Sequence, residues 1–230
     1  MTDPTDRTVV IAGASGGLGP SVARAFANAG WKLVLADNSA DRLASLVGEF
    51  PGARGDVVDL LDEKETRHWA QGIAEVDCVA HLVGGWRGGT TLRDADPADW
   101  VLLHDLLIRT VQHTTRAFHD ALVASPRGSF VLVSSKQGQQ PTHDNAAYAA
   151  AKAAAEAWTL ALADSFRAQE ANATANVVVV NAITTPQMRA DNPDKSYRTF
   201  TDAEEIADSI VYLTSPAARK MNGHRLHLHG

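Results

Sequence analysis

Thr8-Val9-Val10-Ile11-Ala12-Gly13-Ala14-Ser15-Gly16-Gly17-Leu18-Gly19, running on into the helix-like stretch from Pro20 to Ala29, decides how this chain folds. The β-branched run reads as a strand, and the glycines turn it at once into a helix within a first βαβ unit. Glycine permits positive φ and close backbone approach, and the N–H groups opening the next helix attract a pyrophosphate. Gly13, Ser15, Gly17, Leu18 and Gly19 are therefore expected to bind a dinucleotide. The spacing is GxxxGxG rather than the commoner GxGxxG, so position after a strand carries the assignment. Asp37 ends the second β-rich run, 18 residues past Gly19, where a carboxylate can accept both adenosine ribose hydroxyls. It would repel a 2′-phosphate. No arginine directly adjoins it, Arg42 lying five residues on, so NAD is expected in preference to NADP. Asp56-Val57, after the third strand, is the expected holder of the adenine edge.

Outward from this unit the same alternation continues. Apolar runs at Lys32 to Ala36, Ala53 to Val57, Val76 to Val83, Ser129 to Ser134, Ala175 to Asn181 and Arg225 to Leu228 read as strands. Between them lie helical patterns at Ala40 to Val47, Asp62 to Ile73, Pro97 to Val123, Asn145 to Gln169 and Ala203 to Leu213. Strands separated by helices pair in parallel through right-handed crossovers, with helices on both faces. The expected fold is α/β: a single doubly wound Rossmann-type domain over residues 1–230, with a parallel sheet of seven strands. Thr184 to Thr201, the densest irregular stretch, is the candidate substrate lid.

Composition narrows the partners. The 230 residues are 45% hydrophobic with a net charge of −6, which is globular and gives no reason to expect nucleic acid or anionic lipid. A small-molecule substrate fits better. The single cysteine, Cys78, cannot close an internal disulfide, and Met1 to Arg7 is polar, so a cytoplasmic location is expected. No apolar run approaches the roughly 18 residues of a membrane span.

The chemistry is carried by Ser134-Ser135 and, thirteen positions after Ser135, Tyr148-Ala-Ala-Ala-Lys152. An i, i+4 pair projects from one helix face, so the Lys152 ammonium can approach the Tyr148 phenol and lower its pKa. Tyr148 is then a general acid and base. Ser135, at a strand end on the carboxyl edge of the sheet, is placed to orient a substrate oxygen.

With these residues in order, the chain resembles the short-chain dehydrogenase/reductase family over essentially its full length. The matches are the Ala12-Gly13 to Gly19 turn, Asp37, Asp56-Val57, Ser135, Tyr148-Ala-Ala-Ala-Lys152 and a closing strand within Gly223 to Gly230. The resemblance implies strand order 3-2-1-4-5-6-7, reversible hydride transfer between a nicotinamide and a carbonyl or alcohol, and dimers or tetramers. It implies that Lys152 also binds the nicotinamide ribose, and that Tyr148 protonates the carbonyl.

The pattern is broken in three places. His81-Leu82-Val83-Gly84 stands where the family writes Asn-Asn-Ala-Gly, leaving backbone contacts from Val83 and Gly84. Leu107 aligns by spacing with the family's active-site asparagine and cannot hold a relay water; His104, one turn earlier, is a possible substitute. The Pro-Gly expected after Asn181-Ala182-Ile183 is missing, although Ile183 can still pack on the nicotinamide.

Trp86, Arg87, Gln137, Gln140, His143 and Asn145 are candidate specificity residues, and Arg189, Lys195 and Arg198 are candidate contacts for an anionic substrate. His227 and His229 share one face of the last strand without an acidic or thiol neighbour, so no metal is expected. Seven alanines between Ala149 and Ala157 favour close approach of another helix, as in a homo-oligomer. Three functions are compatible with the motifs: an NAD(H)-dependent oxidoreductase, an NAD-binding sensor or scaffold without turnover, and a non-redox lyase or isomerase using the same tyrosine. Retention of Ser135, Tyr148 and Lys152 together favours the oxidoreductase.

Overall fold

A computed structural model describes residues 7–229; residues 1–6 of the polar amino-terminal stretch, and Gly230, lie outside them. In chain order the elements are β1 Thr8–Ala12, α1 Gly19–Asn28, β2 Lys32–Asp37, α2 Ala40–Gly48, β3 Arg54–Val57, α3 Glu63–Gln71, β4 Cys78–His81, α4 Pro97–His104, α5 Thr110–Ala124, β5 Ser129–Ser135, α6 Ala146–Ala168, β6 Thr174–Val180, β7 Ile183–Thr184, α7 Pro186–Asp191, β8 Thr201–Asp202, α8 Ala203–Leu213 and β9 Arg225–His227. Seven of the strands form one parallel sheet in the order β3-β2-β1-β4-β5-β6-β9. This is the expected order, its last strand being numbered β9 because β7 and β8 form a separate parallel pair.

Burial on both faces explains why the strands are near-continuous apolar runs. All five residues of β1 are buried, and they alternate: Val10 and Ala12 join Phe118, Phe130 and Phe166 on one face, while Val9 and Ile11 join Phe26, Leu35 and Ile206 on the other. Edge-on ring pairs at 5.0 Å join α3 to α5 through Trp69 and Phe118 in the first layer, and α1 to the turn before β2 through Phe26 and Trp31 in the second. The register brings Ala12, Ala36, His81 and Leu132 level, so the ends of β1, β2, β4 and β5 share one carboxyl edge. There the strand order reverses about β1 and β4, and a crevice opens.

Two regions depart from expectation. The single helix foreseen from Pro97 to Val123 is interrupted by a π turn, Asp105–Arg109, whose extra residue rotates everything beyond it. The stretch 184–201 is not irregular throughout: it holds α7, and the β7–β8 pairing of Ile183 with Thr201 clamps its base. Among the described residues, no helix is long and apolar enough to cross a membrane.

Candidate active site

A cavity of about 620 Å³ opens at the carboxyl edge of the sheet. Gly13, Gly16, Gly17 and Leu18 line it from the glycine turn, Asp37 and Arg42 from the β2 side, Leu82, Val83 and Gly84 from beyond β4, Tyr148 and Lys152 from α6, and Ile183, Thr185 and Met188 from across the cleft.

The glycine turn fits a dinucleotide. Gly13 has φ of +78°, and a β-carbon there would meet the Val83 nitrogen at 2.9 Å. Gly19 does not line the cavity; a β-carbon on it would stand 1.7 Å from the Ala14 carbonyl oxygen, so its absence lets α1 close onto the turn. α1 has no side-chain cap and no acidic residue in its first turn, leaving the positive end of its dipole for an anion. Ser15 sits behind the turn: its N–H donates to Asp37 Oδ2 at 3.1 Å, and its hydroxyl is buried without a partner.

Asp37 is 8% exposed and also accepts from the Ser39 N–H at 3.1 Å. Arg42 is not as remote as its place in the chain suggested. One turn into α2, its guanidinium comes within 3.5 Å of Asp37 Oδ1 and joins the cavity wall.

The structure does not bring Asp56 and Val57 to the cavity. Asp56 accepts from Trp69 Nε1 at 2.9 Å and Arg54 Nε at 2.8 Å, and Val57 is 57% exposed. Val58, Asp59, Leu60 and Leu61 form the wall in their place. The physical reason is the start of α3: Asp62 caps it by accepting from the Lys64 and Glu65 N–H groups, and this sets the turn around Asp59, two residues beyond the Asp56-Val57 pair.

At the other end, Tyr148 and Lys152 face the cavity from one side of α6, with the Lys152 ammonium 5.9 Å from the Tyr148 ring centre. Ser135 is buried at the end of β5, its hydroxyl accepting from the Gln137 N–H at 3.3 Å. Burial pushes the Tyr148 pKa above its usual value, with the Ser135 hydrogen bond acting the other way. The expected lowering by Lys152 is thus not what sets the phenol. Lys152 directs its amine to the Val133 carbonyl at 3.0 Å, and burial brings its own pKa down to about 8.

The substitutions noted in the sequence have structural counterparts. Leu107 is turned by the π turn into an apolar cluster with Leu103, Ile108 and Ala151, while Leu106 and Thr110 reach the cavity. His81 is fully buried, with Nε2 3.2 Å from Thr110 Oγ1. Because the Thr110 hydroxyl already donates to the Leu106 carbonyl at 2.6 Å, Nε2 carries the imidazole proton. Burial, then the charge of Lys152, push the His81 pKa down to about 3, so the ring is neutral. His104 does not take the relay position: it lies 3.4 Å from Asp105, away from the cavity wall.

Of the loop residues, Trp86 lines the cavity, whereas Arg87, Gln137, Gln140, His143 and Asn145 do not. Arg189 is held by Asp202 at 2.6 Å, and Lys195 lies over the Tyr197 and Phe200 rings; neither they nor Arg198 reach the wall. His227 and His229 have ring nitrogens 3.2 Å apart, and no group of three or more metal-ligating side chains occurs among the described residues.

A parallel sheet with a glycine turn on its carboxyl edge and a Tyr–Lys pair across the same cavity defines a Rossmann-like protein of oxidoreductase type. Residues 7–196 match the short chain dehydrogenase family, and the chain belongs to it. It is 26% identical to "Dehydrogenase/reductase SDR family member 6" of Rattus norvegicus, covering 94% of this chain and 93% of that protein. It is 29% identical to "Sulfoacetaldehyde reductase 2" of Chromohalobacter salexigens, covering 93% and 91%. An oxidoreductase of the short chain dehydrogenase/reductase family from Burkholderia thailandensis superposes with a TM-score of 0.87 at 27% identity, covering 99% of this chain and 92% of that one.

Proposed function

We infer that the protein is an NAD(H)-dependent oxidoreductase interconverting a small or medium carbonyl compound and its alcohol. One observation carries the reading: Tyr148 and Lys152 open onto the same cavity as the glycine turn and Asp37. When bound, the nicotinamide supplies the redox half of the reaction. The chain supplies the proton. A phenol whose pKa is raised by burial stays protonated at neutral pH, which suits donation to a carbonyl oxygen. Ser135 holds that oxygen, and Lys152 holds a positive charge below the developing phenolate and grips the ribose. Asp37 takes the adenosine ribose hydroxyls, favouring NAD, while Gly13, Gly17, Leu18, Val83, Gly84 and Ile183 form the bed. Asp59 and Leu60 replace Asp56 and Val57 at the adenine edge.

The same reading has the protein working in the cytoplasm as a homo-oligomer. Ala149, Ala151 and Ala155 are buried within the chain, but Ala150, Ala153 and Ala157 remain exposed beside Trp158 as a face that another helix can approach.

The test is a screen of carbonyls and alcohols with NADH/NAD and NADPH/NADP, followed by the absorbance of the reduced nicotinamide, with Tyr148→Phe alongside. Loss of about 10²–10⁴-fold in the variant is expected. Undiminished turnover in Tyr148→Phe would sink the assignment of the proton donor. Cofactor binding with no turnover on any substrate would favour the sensor or scaffold reading, which the buried Leu107 motivates.

A further inference from the structure

Glu156 lies one helical turn beyond Lys152 on α6, 1% exposed, and the roles given above do not use it. A carboxylate taken out of water is costly unless donors surround it. Here three do, each from a different part of the chain. Ser134 Oγ at the end of β5 donates to Oε1 at 2.6 Å. Gln139 Nε2, just past the 3₁₀ turn Lys136–Gly138, donates to Oε2 at 3.1 Å, and Arg225 Nε of β9 donates to Oε2 at 2.6 Å. The turn presses on both helix residues: a β-carbon on Gly138 would stand 3.1 Å from Lys152 Cβ and 3.2 Å from Glu156 Oε1. Ser134 immediately precedes Ser135, so one carboxylate ties the strand end carrying Ser135 to the helix carrying Tyr148 and Lys152.

We propose that Glu156 is a positioning residue of the proton-transfer centre: its buried carboxylate, one helical turn from Lys152 and acting through its field rather than through a direct bond, holds the ammonium charged in dry surroundings, and Arg225, bonded to that carboxylate, sets how strongly it acts. The proposal rests on the roles given to Tyr148 and Lys152 above. Burial pulls the lysine down and Glu156 pushes it back up. The groups on neighbouring elements are otherwise engaged. His81 of β4 is neutral. Asp105 pairs with Arg109, Arg116 with Glu63 and His119 with Asp120. Lys136 of the 3₁₀ turn bears on His229, and the influences on Lys152 are its burial and Glu156. Tyr148, uncharged, completes the set around the amine.

The experiment is an NMR pH titration of the Lys152 side chain in the intact protein, with labelled lysine and the signal assigned by its absence in Lys152→Met. It needs no turnover. Glu156→Gln keeps the shape and removes the charge, so Lys152 should lose its proton about one pH unit lower. Arg225→Gln removes the cation competing for the carboxylate, so the titration should move up, and Arg225→Lys should return it toward wild type. A loosened fold would instead shift Glu156→Gln and Arg225→Gln alike upward, toward an exposed lysine. Opposite shifts therefore support the proposal; no shift, or shifts in one direction, overturn it. If Glu156→Gln does not fold, the Arg225 pair decides, since an upward shift in Arg225→Gln that Arg225→Lys fails to reverse also overturns it. In an active enzyme the alkaline limb of kcat should follow the same order. Should Tyr148→Phe retain turnover, the reading of the tyrosine fails while the titration still judges Glu156.

Discussion

Lys152 holds its charge where water is scarce, and this has a thermodynamic signature. Its folded pKa is about 8 against an ordinary 10.5, so between those values the unfolded chain binds more protons than the folded one. The contribution to stability therefore rises with pH through that window, and below it the charged amine costs the fold a few kcal/mol. Lys152→Met is expected to be more stable than wild type at pH 7, with the difference shrinking as pH climbs past 8, read by urea unfolding at several pH values. Asp37 and Arg42 make a second residue-scale case. Asp37→Ala should raise kcat/KM with NADPH relative to NADH by about tenfold or more, and Arg42→Ala should move the ratio the other way. A ratio that does not respond to either would remove Asp37 from the cofactor argument. At this scale, residues whose placement depends on spacing within one element were legible from the chain alone. The Tyr148–Lys152 pair needs only an i, i+4 helix, and the glycine turn needs only a strand before it. Asp59 and Arg42 were not, because a cap at Asp62 and the first turn of α2 decide which side chains reach the crevice. The direction of the tyrosine pKa was not legible for a related reason: burial, which no spacing reveals, is the largest influence on it.

Certain turns between elements have backbone that only glycine adopts freely. At Gly13 the backbone is in the left-handed region and a side chain would also collide with Val83. Gly13→Ala should therefore destabilise by more than the roughly 1–2 kcal/mol of an L-residue at positive φ. Gly52, at φ +86° with open space around its missing β-carbon, supplies the control: Gly52→Ala should show the conformational cost alone. Thermal unfolding of the two variants checks this, and equal losses would mean that Val83 yields. Strands and helices were readable because apolar periodicity is local. The π turn was not: Asp105 to Arg109 continues an ordinary helical pattern, and only packing of Leu107 against Leu103 and Ala151 makes the extra residue worthwhile. Nor was α7 in the presumed irregular stretch, where Thr185 caps Met188 across only six helical residues.

For the whole molecule, stability resides in two apolar layers that share the sheet. Phe118 and Phe166 lie fully buried on one side and Phe26 on the other. Phe118→Ala should cost about 3–5 kcal/mol in denaturant unfolding, since it also removes the edge contact with Trp69. A loss under about 1 kcal/mol would mean that the layer collapses around the gap. The doubly wound order was legible from alternation because parallel strands with helical crossovers admit few other solutions. The network joining β5, the 3₁₀ turn, α6 and β9 at Glu156 was not, since it unites residues far apart in the chain.

Trp86 gives the crevice an optical reporter. It is the tryptophan on the cavity wall; Trp31 and Trp69 are packed in the core, and Trp100 and Trp158 look outward elsewhere. Indole fluoresces at wavelengths that reduced nicotinamide absorbs, so occupancy of the cleft should quench indole emission by resonance energy transfer, Trp86 most strongly, and light up the dinucleotide in its place, before any substrate is known.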